Sequence, residues 1–333
     1  MSSPSVRSSD IDACPGALRL HAAADGPLAR VRLPGGLLTG AQVRVLRDVA
    51  RRWGDGQVEL TSRANVQVRA LTAAPPEALA EALRGCGLLP SDTHELVRNI
   101  AASPVPGAWD VRTVARALDR AVCADPALAA LPGRFLFALG PVPAAADLAA
   151  LQAPTGIAVL FAGRDLGLRV DPGAVVPALI AAAHAFLDVR AEQATPAWRL
   201  RELADGPSQV AARTAAAIGA EFTPAAPPPA VVAAEPIGLV AQPGGLFAAA
   251  ALVPLGTLSE AQLTVLGGAE TCTVTPWRGV VVPDLERPAA EAWLHRLGTA
   301  GLEVSPGSRW SGVTACAVAR ASRRTSASAF AHP

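Results

Sequence analysis

Apolar and polar positions along the chain follow two alternating periods, and one pairing of them occurs twice. Residues 31–46 read VRLPGGLLTGAQVRVL. An extended apolar run meets a Pro-Gly-Gly turn, and beyond Thr39 the apolar positions fall three or four apart. Ala41, Val45, Leu46, Val49 and Trp53 form a stripe that predicts a helix lying on a sheet. Thr39 followed three residues later by Gln42 predicts a capping box that satisfies two orphan amides. Gly54-Asp55-Gly56 ends the helix. Residues 57–71 then alternate with period two, which predicts a strand. Its core face carries Val58, Leu60, Ser62, Ala64, Val66 and Val68. Its other face carries Gln57, Glu59, Thr61, Arg63, Asn65, Gln67 and Arg69.

Residues 251–266, ALVPLGTLSEAQLTVL, match the first block at seven of sixteen positions without a gap. A second block, LTSRANVQVRAL from Leu60, returns as VTPWRGVVVPDL from Val274. The offset falls from 220 to 214 between the blocks, so the intervening turn and helix are shorter in copy two. Each copy reads strand–helix–strand with a further element, half of a ferredoxin-like α+β layer. Each alone is too small for a stable core, so the two are expected to pair into one sheet layer. Between them, residues 75–223 read as an α/β region. Residues 134–139 and 156–161 are its buried strands, and residues 175–190 its apolar helix, with His184 as a core residue. The expected fold is α+β: a polar, disordered 1–12, a first half-domain 13–74, the α/β region 75–223, a Pro/Ala linker 224–235, a second half-domain 236–304, and a last stretch 305–333.

Composition narrows the chemistry. A formal charge of +1 gives no basic field, so no nucleic-acid partner is expected. Neither a leader peptide nor a span long enough for a bilayer is read, which predicts a cytoplasmic protein with no membrane partner. Lysine is absent, so every fixed cation is an arginine, a planar group suited to carboxylates and phosphates. Five dispersed cysteines show no metal-ligand spacing. The polar row of residues 57–69 is either a solvated face or a set of donors held on a rigid element. The second copy replaces Arg63, Asn65, Gln67 and Arg69 by Trp277, Gly279, Val281 and Pro283, which favours the second reading.

The run VELTSRANVQVR from Val58, with Arg98-Asn99-Ile100, resembles the nitrite and sulfite reductase family, and most of all its cobalamin-pathway branch. The opening CPGALR at Cys14, LPGRF at Leu131, TPWRGVVVP at Thr275 and WSGVTAC ending at Cys316 carry the same resemblance, over about residues 13–316. It implies paired half-domains with α/β domains around a tetrapyrrole and a [4Fe–4S] cluster, and an external electron donor. The cobalamin branch oxygenates a precorrin, precorrin-3A, with dioxygen. By the resemblance Arg63, Arg98 and Arg134 hold tetrapyrrole carboxylates, with Asn65, Gln67, Arg69 and Asn99 adding polar contacts. Leu136 replaces the second lysine of a basic pair, which argues against anion reduction and against sirohaem. Cys316 matches the first cluster ligand, but position 322 is serine and no later cysteine follows. The expectation is a C-terminally truncated chain that does not bind the cluster. Three activities stay open: a precorrin oxygenase, a remnant that binds a tetrapyrrole at most, and a sirohaem-dependent nitrite or sulfite reductase.

Overall fold

A computed structural model describes residues 14–105, 107, 109–223, 234–308 and 310. Among them the chain forms two compact units. One holds residues 15–95, the short stretch at 104–107, and the residues from 234 on; the other holds residues 96–103 and 109–223.

The first unit contains both copies of the repeat. Copy one runs β1 (His21–Ala23), β2 (Gly26–Val31), β3 (Leu37–Thr39), α1 (Gly40–Trp53), β4 (Val58–Leu60), β5 (Val66–Val68) and α2 (Pro76–Gly85). The second unit follows with β6 (Ile100–Ala102), α3 (Val111–Ala124), β7 (Phe137–Leu139), β8 (Leu148–Gln152), β9 (Ile157–Phe161), β10 (Arg164–Val170), α4 (Val175–Glu192) and α5 (Gly206–Ile218). Copy two then runs β11 (Gly238–Ala241), β12 (Phe247–Leu252), β13 (Thr257–Leu258), α6 (Glu260–Leu266), β14 (Thr271–Val274), β15 (Gly279–Leu285) and α7 (Arg287–Thr299). The two copies match element for element, in the α+β class the sequence predicts. Both capping boxes form: Thr39 and Ser259 each accept from the N3 amide, while Gln42 and Gln262 each accept from the N-cap amide.

The copies do not merge into one layer. They make two five-stranded sheets, ordered β1-β2-β5-β4-β13 and β11-β12-β15-β14-β3. Each sheet therefore ends on a strand lent by the other copy. Thr257 and Leu258 pair antiparallel with Glu59 and Val58, while Leu37–Thr39 pair with Thr273–Thr271. One core fills the space beneath both sheets, with Leu46, Val66 and Leu79 from copy one beside Leu266, Val280 and Leu297 from copy two.

The predicted strand over residues 57–71 is a hairpin, β4 and β5 folded about Thr61–Asn65. Ala64 sits at φ 56, in the left-handed region. The turn closes by Thr61 N–H to the Asn65 carbonyl at 2.9 Å and Asn65 N–H to Thr61 Oγ1 at 3.1 Å. Copy two repeats it bond for bond, with Thr275 and Gly279 in those places and Arg278 at φ 63.

In the second unit, the sheet order is β10-β9-β8-β7-β6, with the β6–β7–β8 pairs parallel and the others antiparallel. Helices α3, α4 and α5 cover one face, around Phe135, Phe137, Phe161 and Phe186. Helix α4, with the 3-10 turn before it, is long and apolar enough to cross a bilayer, yet Leu179, Ala182, Phe186 and Val189 lie in this core. His184, midway along that helix, is half-buried rather than in the core, and its Nε2 meets Asp125 Oδ2 at 2.6 Å.

Candidate functional site

In the first unit, the hairpin places Glu59 directly across from Gln67, and Gln67 across from Arg30 of β2. The polar row is thus folded back on itself and knitted internally. Arg30 Nε donates to Gln67 Oε1 at 2.9 Å, and Gln67 Nε2 donates to Glu59 Oε2 at 3.0 Å. Arg69 grips Asp25 with two nitrogens, at 2.8 and 2.9 Å, and reaches Glu59 at 3.4 Å. That bond to Asp25 holds the Arg69 guanidinium above the usual arginine range, fixing its charge. Gln67 and Arg69 are therefore members of a half-buried internal network, where the sequence suggests ligand donors. Asn65 is likewise turned inward: it is 1% exposed, and its Oδ1 accepts from Leu33 N–H at 2.8 Å, tying the turn to the segment after β2. Arg63 stands at the apex of the turn, half-buried, with its own N–H donated to Thr61 Oγ1 at 3.3 Å.

The contrast between copies has a packing cause. At the positions of Arg30, Glu59 and Gln67, copy two carries Ala250, Thr273 and Val281, all fully buried. Ala248, Ala250 and Val281 form a small apolar cluster beneath Val105 and Val240. Burial accounts for the loss of polarity there.

In the second unit, Arg98 and Asn99 are also turned inward. Arg98 is 4% exposed and makes a two-pronged bond to Asp119, at 2.7 and 2.8 Å. Asn99 donates to the carbonyls of Leu96 at 3.0 Å and Gly133 at 2.7 Å, which pins the loop just before Arg134. Arg134 is different. Its side chain is exposed, its guanidinium lies 5.0 Å over the Trp198 ring, and among the described residues it has no hydrogen bond or ion pair. A cation over an indole face is attracted by the ring's negative face, which holds the exposed guanidinium in place. Leu136, two residues on, is 2% exposed and its N–H donates to Asp147.

Cys316 lies outside the described residues. Cys86, Cys123 and Cys272 are free thiols whose pKa values are raised by burial, that of Cys272 to about 12, so none is a poised thiolate. Among the described residues no group of three His, Cys, Asp or Glu side chains could hold a metal.

Sequence reasoning missed Trp198, whose signal was only a tryptophan beside arginines, and Glu95. The buried Glu95 carboxylate accepts from Ala17 and Leu18 N–H at 2.6 and 2.9 Å, and so holds the CPGALR loop.

This twofold arrangement of a capped helix and a Thr-closed hairpin has known counterparts. Residues 21–86, from β1 to the end of α2, match the Nitrite/Sulfite reductase ferredoxin-like half domain. This segment is similar to that half domain. A ferredoxin–nitrite reductase of Leptolyngbya laminosa is 37% identical over 82 residues, 24% of this chain and 16% of that protein. A precorrin-3B synthase of a Sinorhizobium species is 41% identical over 71 residues, 21% of this chain and 16% of that protein. The solved structure of the Mycobacterium tuberculosis NirA protein superposes with a TM-score of 0.76 over 88% of this chain and 60% of its own, at 20% identity, which shows a shared fold. The matched stretches are thus about a sixth of these curated relatives' lengths.

Proposed function

We propose that this chain is a cobalamin-pathway oxidoreductase resembling precorrin-3B synthase, acting on a precorrin that has a carboxylate bound by Arg134. The observation that carries the reading is Arg134: an exposed guanidinium 5.0 Å from the Trp198 ring with no hydrogen bond or ion pair among the described residues, with the buried Leu136 where a reductase would place a second cation. A single planar fork suits a propionate or acetate arm, which takes two parallel hydrogen bonds. The 41% identity to a precorrin-3B synthase supports the same reading.

A second reading, reduction of nitrite or sulfite on sirohaem, is favoured by the comparable match to a ferredoxin–nitrite reductase, 37% identical over 82 residues. The described cysteines lie singly in different elements and do not fit a [4Fe–4S] cluster, so no step of the proposal runs through one.

The test is a visible-absorbance titration with the octacarboxylate uroporphyrin, followed by incubation with precorrin-3A and dioxygen. Arg134→Ala is expected to weaken binding by about 1.5–3 kcal/mol, the scale of a charge-assisted hydrogen bond, and oxygen is expected in the precorrin product by mass. Unchanged affinity in Arg134→Ala removes that residue from the site. Turnover of nitrite or sulfite with an inert precorrin hands the assignment to the second reading.

A further inference from the structure

The face of the second unit's sheet opposite its helices is covered only in part, and an uncovered stretch forms a cleft of about 250 Å³. Its floor is Ala138 of β7, Ala149 of β8 and Leu160 of β9, and its wall carries Arg199 and Arg201. The room exists because two of the three floor positions, Ala138 and Ala149, are alanines; larger side chains there would fill it.

The charges lining the cleft do not cancel. Asp147 is sealed at its edge, 1% exposed at the side chain, and accepts from Leu136 N–H at 2.9 Å, Leu200 N–H at 2.8 Å and Arg199 Nε at 2.8 Å. Arg199 is consumed by that pair and by a bond to the Ala145 carbonyl. Arg201 lines the same cleft, is exposed, and has no hydrogen bond or ion pair among the described residues. One net positive charge therefore stands over an apolar floor.

We propose that this cleft is a binding site for a small organic anion with a compact apolar body, a monocarboxylate held by Arg201. The volume lies just under the usual range of about 300–1,000 Å³ for small-molecule sites, which limits the occupant to a single ring or a short branched chain. Neither Arg63 nor Arg134 lines the cleft, so the assignment does not depend on the precorrin reading.

Calorimetric titration of the full chain with benzoate, and with its neutral analogue benzamide, tests the site. Benzoate is expected to bind and benzamide to bind at least about tenfold more weakly, the factor a lost charge-assisted hydrogen bond implies. Arg201→Ala, an exposed position, is expected to give the same loss for benzoate with an unchanged melting temperature. Ala149→Leu, which fills the floor, is expected to abolish binding. Equal affinity for the two probes, binding within twofold of wild type in Arg201→Ala, or no benzoate binding at tens of millimolar would overturn the proposal. The Arg201 variant decides the matter if Ala149→Leu fails to fold.

Discussion

Arg98 and Arg134 are the same residue type in opposite circumstances, and their difference governs what each can do. Arg98 is buried against Asp119, whereas Arg134 is exposed with its guanidinium 5.0 Å over the Trp198 ring. Removing one partner of a buried pair leaves an uncompensated charge, so Asp119→Ala is expected to cost about 3–5 kcal/mol in chemical denaturation. A loss below about 0.5 kcal/mol would show that Arg98 reaches another anion or solvent. The Asp165–Arg169 pair makes a pH prediction. Two 2.8 Å bonds from Arg169 hold the Asp165 carboxyl below its usual range. A depressed folded-state value means that the pair's contribution is complete above the unfolded value of about 3.9 and fades as pH falls through the folded one. Wild-type stability is expected to drop in that acid window, and Asp165→Asn to be less stable near neutrality but flatter across it. Parallel stability–pH curves for the two proteins would refute this. At this scale the sequence was a fair guide to residue type and a poor guide to partners. The alternation marks Gln67 and Arg69 as polar, but nothing local says that Arg30 and Asp25, some forty residues earlier, would saturate them.

Among elements, the helices were the most legible, because capping and a three-to-four spacing are local signals. Thr39 with Gln42, and Ser259 with Gln262, form as read. The hairpin was not legible, because TSRAN contains no glycine and alternation continues through it in phase; Ala64 adopts the left-handed conformation that usually marks such a turn only when glycine is present. Glycine is indispensable at another corner. Gly36 has φ +71, and a Cβ there would lie 2.0 Å from the Val274 carbonyl oxygen of the other copy. Gly56 has φ +79 with nothing within 4 Å of the same atom. Gly56→Ala is expected to cost about 1–2 kcal/mol for its backbone alone, and Gly36→Ala distinctly more, since backbone must also move. Equal losses in thermal denaturation would mean that the Val274 strand yields freely.

The whole molecule shows why the repeat could be read and its assembly could not. Identity between blocks is visible in one dimension, whereas the exchange of β3 and β13 is a pairing between positions about two hundred or more residues apart. A fragment of residues 15–95 lacks both the strand that closes its sheet and half of its core. It is expected to show no cooperative unfolding alone, and to gain it when mixed with residues 234–310; a cooperative transition in the isolated fragment would refute the shared core. The same exchange sets a schedule for synthesis. Strand β4 emerges from the ribosome almost two hundred residues before Thr257 and Leu258, the partners of its open edge. At translation rates of about 5–20 residues per second, that edge waits on the order of ten to forty seconds. Through that interval the nascent first copy presents an unpaired strand, and the arrival of the last hundred residues, rather than any local event, completes its sheet.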